Sequence, residues 1–131
     1  MADIGQKQAA ASASSNARMA MPVNGAIIRE YSKGKNDGID ISAPAGTPVK
    51  AAEAGTVAAI TASADQVPIV VVKHADNVLT VYANVDGITV KKGDSVSRGQ
   101  TLGKVAAGDP AYLHFEVREG FESVDPLPYV R

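Results

Sequence analysis

The apolar stretches of this chain are short, and nearly all of them are closed at both ends by Gly, Pro, Asn or Asp. With 12 Gly and 7 Pro in 131 residues, no stretch sustains a helical period, so the chain must fold by pairing short strands. The clearest strands are Pro68 to His74 (PIVVVKH) and Val78 to Ala83 (VLTVYA). The turn formers Ala75-Asp76-Asn77 between them predict a hairpin. Further strands are expected at 26–29, 38–41, 47–51, 55–61, 88–90, 101–105 and 112–118. The expected fold class is all-β, built from antiparallel sheets in a single domain.

Residues 1–21 are rich in Ala, Ser and Gln, with no period and little bulky apolar surface. Such a segment cannot offset the entropy of ordering itself, so it reads as a disordered linker, with the domain occupying 22–131. The segment lacks the basic start and apolar run of a signal peptide, which suggests a piece excised from a larger exported protein.

Composition removes several functions. The formal charge of -1 gives no overall drive toward nucleic acid or anionic lipid. The absence of Cys removes disulfides, thiolate nucleophiles and cysteine-held metals. No apolar run approaches the roughly 20 residues of a membrane-spanning helix.

A repeat is visible when Gly46-Thr-Pro-Val49 and Gly55-Thr-Val57 are set beside Gly93-Asp-Ser-Val96 and Gly103-Lys-Val105. Two copies of a strand-turn-strand unit could cover each other's apolar faces, as a lone hairpin cannot. Pattern alone does not separate this from chance recurrence in a chain rich in Gly and Val.

Period-two alternation sorts Tyr112 to Arg118 into a core set, Leu113, Phe115 and Val117, and an outward set, Tyr112, His114, Glu116 and Arg118. The same sorting sends Ile39 and Ile41 inward and Asp40 outward. By polarity it sends Leu79, Val81 and Ala83 inward and Thr80, Tyr82 and Asn84 outward. An ordinary solvent face is the commoner arrangement, but outward rows of His, Tyr, Asn and Arg suit a lined groove.

Gly38-Ile-Asp-Ile41, Ala43-Pro-Ala-Gly-Thr-Pro-Val49, Thr80-Val-Tyr-Ala83, Gly93-Asp-Ser-Val96 and Leu113-His-Phe-Glu-Val-Arg118 occur in this order. Together they resemble the lysostaphin-type, or LytM-like, metallopeptidase domain, and the resemblance covers Pro22 to Val130. It implies the duplicated hybrid motif of that fold. Working members are zinc-dependent peptidoglycan endopeptidases that use a His-x-x-x-Asp motif, a His-x-His motif and a further His after a Tyr-Ala pair.

Carried over by position, the first metal-binding His is Asn36 here and its partner Asp is Asp40. The His-x-His pair is Tyr112 and His114, and the His expected after Tyr82-Ala83 is Asn84. A catalytic zinc needs three protein ligands and an open position. Two vestigial ligands, Asp40 and His114, remain beside an Asn whose amide is a poor zinc donor. Neither Tyr nor Asn serves as a general base near neutrality. No metal, other cofactor or catalytic residue is therefore expected.

By the same resemblance, degenerate domains of this kind activate peptidoglycan N-acetylmuramoyl-L-alanine amidases during cell separation in the bacterial envelope, in the periplasm. The expected partner is such an amidase, with peptidoglycan itself as a second candidate. The expected contact set is Asn36, Asp40, Tyr82, Asn84, Tyr112, His114, Glu116 and Arg118, with Tyr82, Tyr112 and Arg118 as anchors. His114 could equally be a structural histidine bonded to Asp40. The alternatives are a weak zinc endopeptidase, which needs an unseen third ligand, and a passive wall-binding module. A cofactor-carrying domain is a further rival, since Gly93 to Gly103 resembles biotinyl and lipoyl turns, but the attachment Lys lacks its usual Met context.

Overall fold

The structure, a computed structural model, describes residues 17–63 and 66–130. The strands are β1 (Ala26–Arg29), β2 (Ile39–Ser42), β3 (Pro48–Lys50), β4 (Gly55–Ser63), β5 (Gln66–Lys73), β6 (Val78–Ala83), β7 (Val85–Asp86), β8 (Ser95–Val96), β9 (Thr101–Val105), β10 (Tyr112–Glu119) and β11 (Glu122–Val124), with one short helix, α1 (Leu127–Val130). They form an eight-stranded antiparallel sheet in the order β1-β2-β10-β6-β5-β4-β8, with β11 paired to β10, and a three-stranded sheet in the order β3-β9-β7. The fold is all-β, as expected. The segment 88–90, expected as a strand, is irregular, while β7, β8 and β11 are strands too short to stand out in the sequence.

The hairpin between β5 and β6 turns through a single 3-10 turn at Ala75–Asn77. Asp76 and Asn77 both take positive φ, a conformation that Asp and Asn tolerate better than other side chains.

The two repeats cross-pair. Val49 of the first lies opposite Gly103 of the second, and Gly55 of the first lies opposite Val96 of the second. The turn glycines match as well. Gly46, at φ 90, donates its N–H to the Val105 carbonyl, and Gly93, at φ 93, donates to that of Val57. Each unit thus contributes one strand to each sheet, which is how two hairpins bury what neither could bury alone.

One core lies between the sheets. Ile39, Ile41, Val70, Val72, Leu113, Phe115 and Val117 meet Val49, Val85, Leu102 and Val105 of the smaller sheet. The tilted rings of Tyr82 and Phe115 stand 5.5 Å apart within it.

The linker boundary at residue 21 needs correction. Residues 1–16 lie outside the described residues, but 17–21 pack as part of the domain. Met19 is fully buried, and its N–H donates to the Tyr129 carbonyl at 2.8 Å. Arg18 pairs with Glu53 at 2.8 Å and lies over the Tyr129 ring. Met19 and Arg18 thus anchor a segment whose composition gives no sign of order.

Candidate functional site

The face of the large sheet turned away from the smaller sheet carries the remaining charged motif residues. Register decides which side chains meet there. His114 lies opposite Asp40 on one side and Ala83 on the other, and Glu116 and Arg118 follow along β10 opposite Val81 and Leu79. Arg29 of β1 lies opposite Asp40 across a bulge. Gly38 allows the loop to enter β2 this close to β10, because a Cβ there would stand 2.2 Å from the Phe115 carbonyl oxygen.

These residues form an alternating chain of charges. An Asp40 carboxylate oxygen is 3.1 Å from the Arg29 guanidinium, and the other is 2.6 Å from His114 Nδ1. His114 Nε2 is 2.9 Å from Glu116, whose other oxygen accepts from Arg118 Nε at 3.0 Å and Nη2 at 2.8 Å. Asp40 is buried and His114 is 22% exposed at its side chain.

With carboxylates at both ring nitrogens, a neutral imidazole would aim a lone pair at one of them. The imidazolium donates to both. Accordingly the hydrogen bond to Glu116, reinforced by Asp40, raises the His114 pKa above its ordinary value despite the opposing effect of burial. Burial pushes the Glu116 pKa up, but the hydrogen bonds from His114 and Arg118 outweigh it, and the net shift is downward.

A hydrolytic zinc needs three protein donors and an open position. Glu116 bonds His114 in the way a carboxylate orients a metal-ligating histidine, and Asp40 lies beside the same ring, so two side chains of donor chemistry are brought together. Asn36 does not join them. Asn36 uses its amide nitrogen to donate to the Glu30 carbonyl at 3.0 Å and the Gly38 carbonyl at 2.9 Å, bracing its own loop. Among the described residues no three His, Asp or Glu side chains converge as ligands. These residues do not fit a hydrolytic zinc, and the two N–H groups of the His114 imidazolium hold Asp40 and Glu116 together.

The eight expected site residues therefore separate. Asp40, His114, Glu116 and Arg118 come together on the open face. Asn36 sits in the loop leading to it. Asn84, at φ 69, donates its amide to the Tyr112 carbonyl at 3.3 Å, and the two residues line a cleft of about 290 Å³ with residues 106–111.

Tyr82 is not on this face, and its expected role as a groove anchor is corrected. It is fully buried, with its hydroxyl accepting from the Ala52 N–H at 2.9 Å and hydrogen-bonded to the Thr80 hydroxyl at 2.9 Å. Burial pushes its pKa up to about 12. Thr80 also bonds His74 Nε2 at 2.7 Å, and His74 Nδ1 reaches the Ala54 carbonyl at 2.8 Å. The assignment of faces on β6 is thus inverted: Thr80 and Tyr82 face the core as a satisfied polar network, and Leu79, Val81 and Ala83 line the open face. Polarity misassigned the strand because each buried polar atom has a partner inside. The apolar floor was missed with it, although the run Ile69 to Val72, apolar at both parities, is the signal of a strand with two dry faces.

A domain of this topology, with Asp40 and His114 paired at this register, defines a class. The chain belongs to peptidase family M23, which matches residues 34–126. Among curated relatives it is 39% identical over 117 residues to the uncharacterized lipoprotein YgeR of Escherichia coli, covering 83% of this chain and 45% of that protein. It is 39% identical to the cell division protein DipM of Caulobacter vibrioides, covering 81% of this chain and 19% of DipM. It is 34% identical to the murein hydrolase activator NlpD of Escherichia coli, covering 83% of this chain and 30% of NlpD. The chain thus spans less than half the length of these relatives. Among solved structures, Csd3 of Helicobacter pylori superposes with a TM-score of 0.78 at 27% identity, over 86% of this chain and 34% of Csd3. A zinc containing peptidase from Vibrio cholerae superposes with a TM-score of 0.76 at 27% identity, over 84% of this chain and 39% of that one. Several relatives are named as lipoproteins, and no helix among the described residues is long and apolar enough to cross a membrane.

Proposed function

We propose that this domain is a non-catalytic LytM module that activates a peptidoglycan amidase through the open face of its large sheet, during cell-wall remodelling at cell separation in the periplasm. One observation carries the reading: the site retains Asp40, His114 and their support, while the third ligand position is an Asn bonded to its own loop. Relatives named as murein hydrolase activators and a cell division protein point the same way. The proposed contact set is Asp40, Tyr112, His114, Glu116 and Arg118, with Asn36 and Asn84 at its margins. Peptidoglycan is a second candidate ligand of this face.

The test is digestion of purified sacculi by candidate peptidoglycan amidases with and without the chain. Stimulation that Arg118→Ala abolishes, with an unaltered thermal melt, supports the reading. Stimulation that survives both Arg118→Ala and Tyr112→Ala removes this face as the contact. A second reading, a weak zinc endopeptidase, draws on the surviving Asp40-His114-Glu116 arrangement and the zinc containing neighbour. Tight zinc binding in calorimetry, together with muropeptides released by the chain alone, would establish it over the first.

A further inference from the structure

Two features of the open face lie away from Asp40 and are not explained by a lost metal. The first is apolar. Val70 and Val72 of β5 are fully buried in the core, while Ile69 and Val71 turn to the open face opposite Ala83 and Val81. A strand apolar on both sides is the pattern of one covered on both sides.

The second is charge. Register places Arg118, Leu79 and Lys73 in one row across β10, β6 and β5, two rows beyond the row of His114 and Ala83. Asp40 and Glu116 are already matched by Arg29, His114 and Arg118, and among the described residues the exposed Lys73 makes no salt bridge, so it adds cationic charge to this end of the face. Arg118 spends Nε and Nη2 on Glu116 and, among the described residues, makes no hydrogen bond from Nη1. On a chain of net charge -1 this row is a local excess of positive charge.

Just past Arg118 the chain turns from β10 into β11. Gly120, at φ 66, supplies the conformation the turn needs, and Phe121 beside it is fully exposed, at 103%. An aromatic there contributes nothing to the turn or the core. Phe and Arg are both enriched in protein interfaces relative to the rest of the surface.

We infer that this end of the face receives an acidic amphipathic segment of the partner protein: a carboxylate on Arg118 and Lys73, apolar side chains over Val71 and Leu79, and an apolar group against Phe121. The inference rests on the activator reading and adds the chemistry of the partner to it.

The experiment uses the amidase found in the stimulation assay. The half-maximal concentration of the chain is measured for the unaltered protein, Lys73→Glu and Phe121→Ala. Both positions are exposed, so both variants should melt with the unaltered chain. Each variant should raise the half-maximal concentration at least tenfold, and added salt should weaken the unaltered chain more than Lys73→Glu. Stimulation indifferent to both changes overturns this inference and leaves the activator reading standing. Loss of binding to sacculi with unchanged amidase stimulation also overturns it, because the ligand of this row would then be the wall polymer. If the unaltered chain stimulates no amidase, the activator reading fails and this inference fails with it.

Discussion

Replacing Tyr82 by Phe removes one oxygen from the interior and no apolar surface, so its effect isolates the buried polar network. The hydroxyl accepts from the Ala52 N–H and bonds the Thr80 hydroxyl, each at 2.9 Å. Ala52 is itself fully buried, so its N–H would be left without a partner, at a cost of about 1–3 kcal/mol. Losing the Thr80 bond adds roughly 0.5–1.5 kcal/mol, and no longer burying a hydroxyl offsets part of the sum. The expected net loss is about 2–3 kcal/mol. With a urea slope of roughly 1.5–2 kcal/mol per M for a domain of this size, the midpoint should fall by about 1–2 M at unchanged slope. Tyr112→Phe is the control, since its ring sits on the half-buried margin of the face, and should change stability by less than about 0.5 kcal/mol. Equilibrium urea unfolding followed by far-UV circular dichroism measures both. A Tyr82→Phe midpoint equal to that of the unaltered chain would refute the network. So would a folded Tyr82→Phe chain, fully occupied under assay conditions, that had lost amidase stimulation, because that result would return Tyr82 to the contact surface.

The remaining expectations concern the charge chain and the framework. Protonated His114 contributes stability in full below the ordinary histidine value of about 6.5, and the contribution is lost as pH rises through its raised folded value. Glu116 acts in the opposite sense, contributing above its ordinary value and losing that contribution as pH falls through its depressed one. Stability measured against pH should therefore decline on both sides of a mildly acidic maximum, and His114→Gln should flatten the alkaline limb. Gly38→Ala should destabilise by more than about 2 kcal/mol and shift the Asp40 and His114 resonances, because the added Cβ collides with the β10 backbone. Met19→Ala should cost about 2–5 kcal/mol in chemical denaturation, as for a buried core side chain and unlike a linker residue.

Short strands closed by Gly, Pro, Asn and Asp, and period-two alternation within them, were enough to expect an all-β domain and the β5-β6 hairpin. The Asn at 36, the Tyr at 112 and the Asn at 84 were equally legible, since the chemistry a side chain lacks is written in its identity. The pairing of Gly46 with Gly93 was visible as a repeat, but only the reciprocal pairing of Val49 with Gly103 and of Gly55 with Val96 shows what the repeat is for.

Tertiary structure alone decided which face of β6 is inside. Sequence polarity sends Thr80 and Tyr82 to solvent, yet His74, across the hairpin turn, bonds Thr80 in the core, and the distant backbone at Ala52 and Ala54 satisfies Tyr82 and His74 in turn. It decided likewise that Met19 belongs to the domain and that Arg29, from an edge strand, faces Asp40. Local sequence determines what each residue can do, whereas burial of a polar group depends on partners that only the packed chain brings within hydrogen-bond distance.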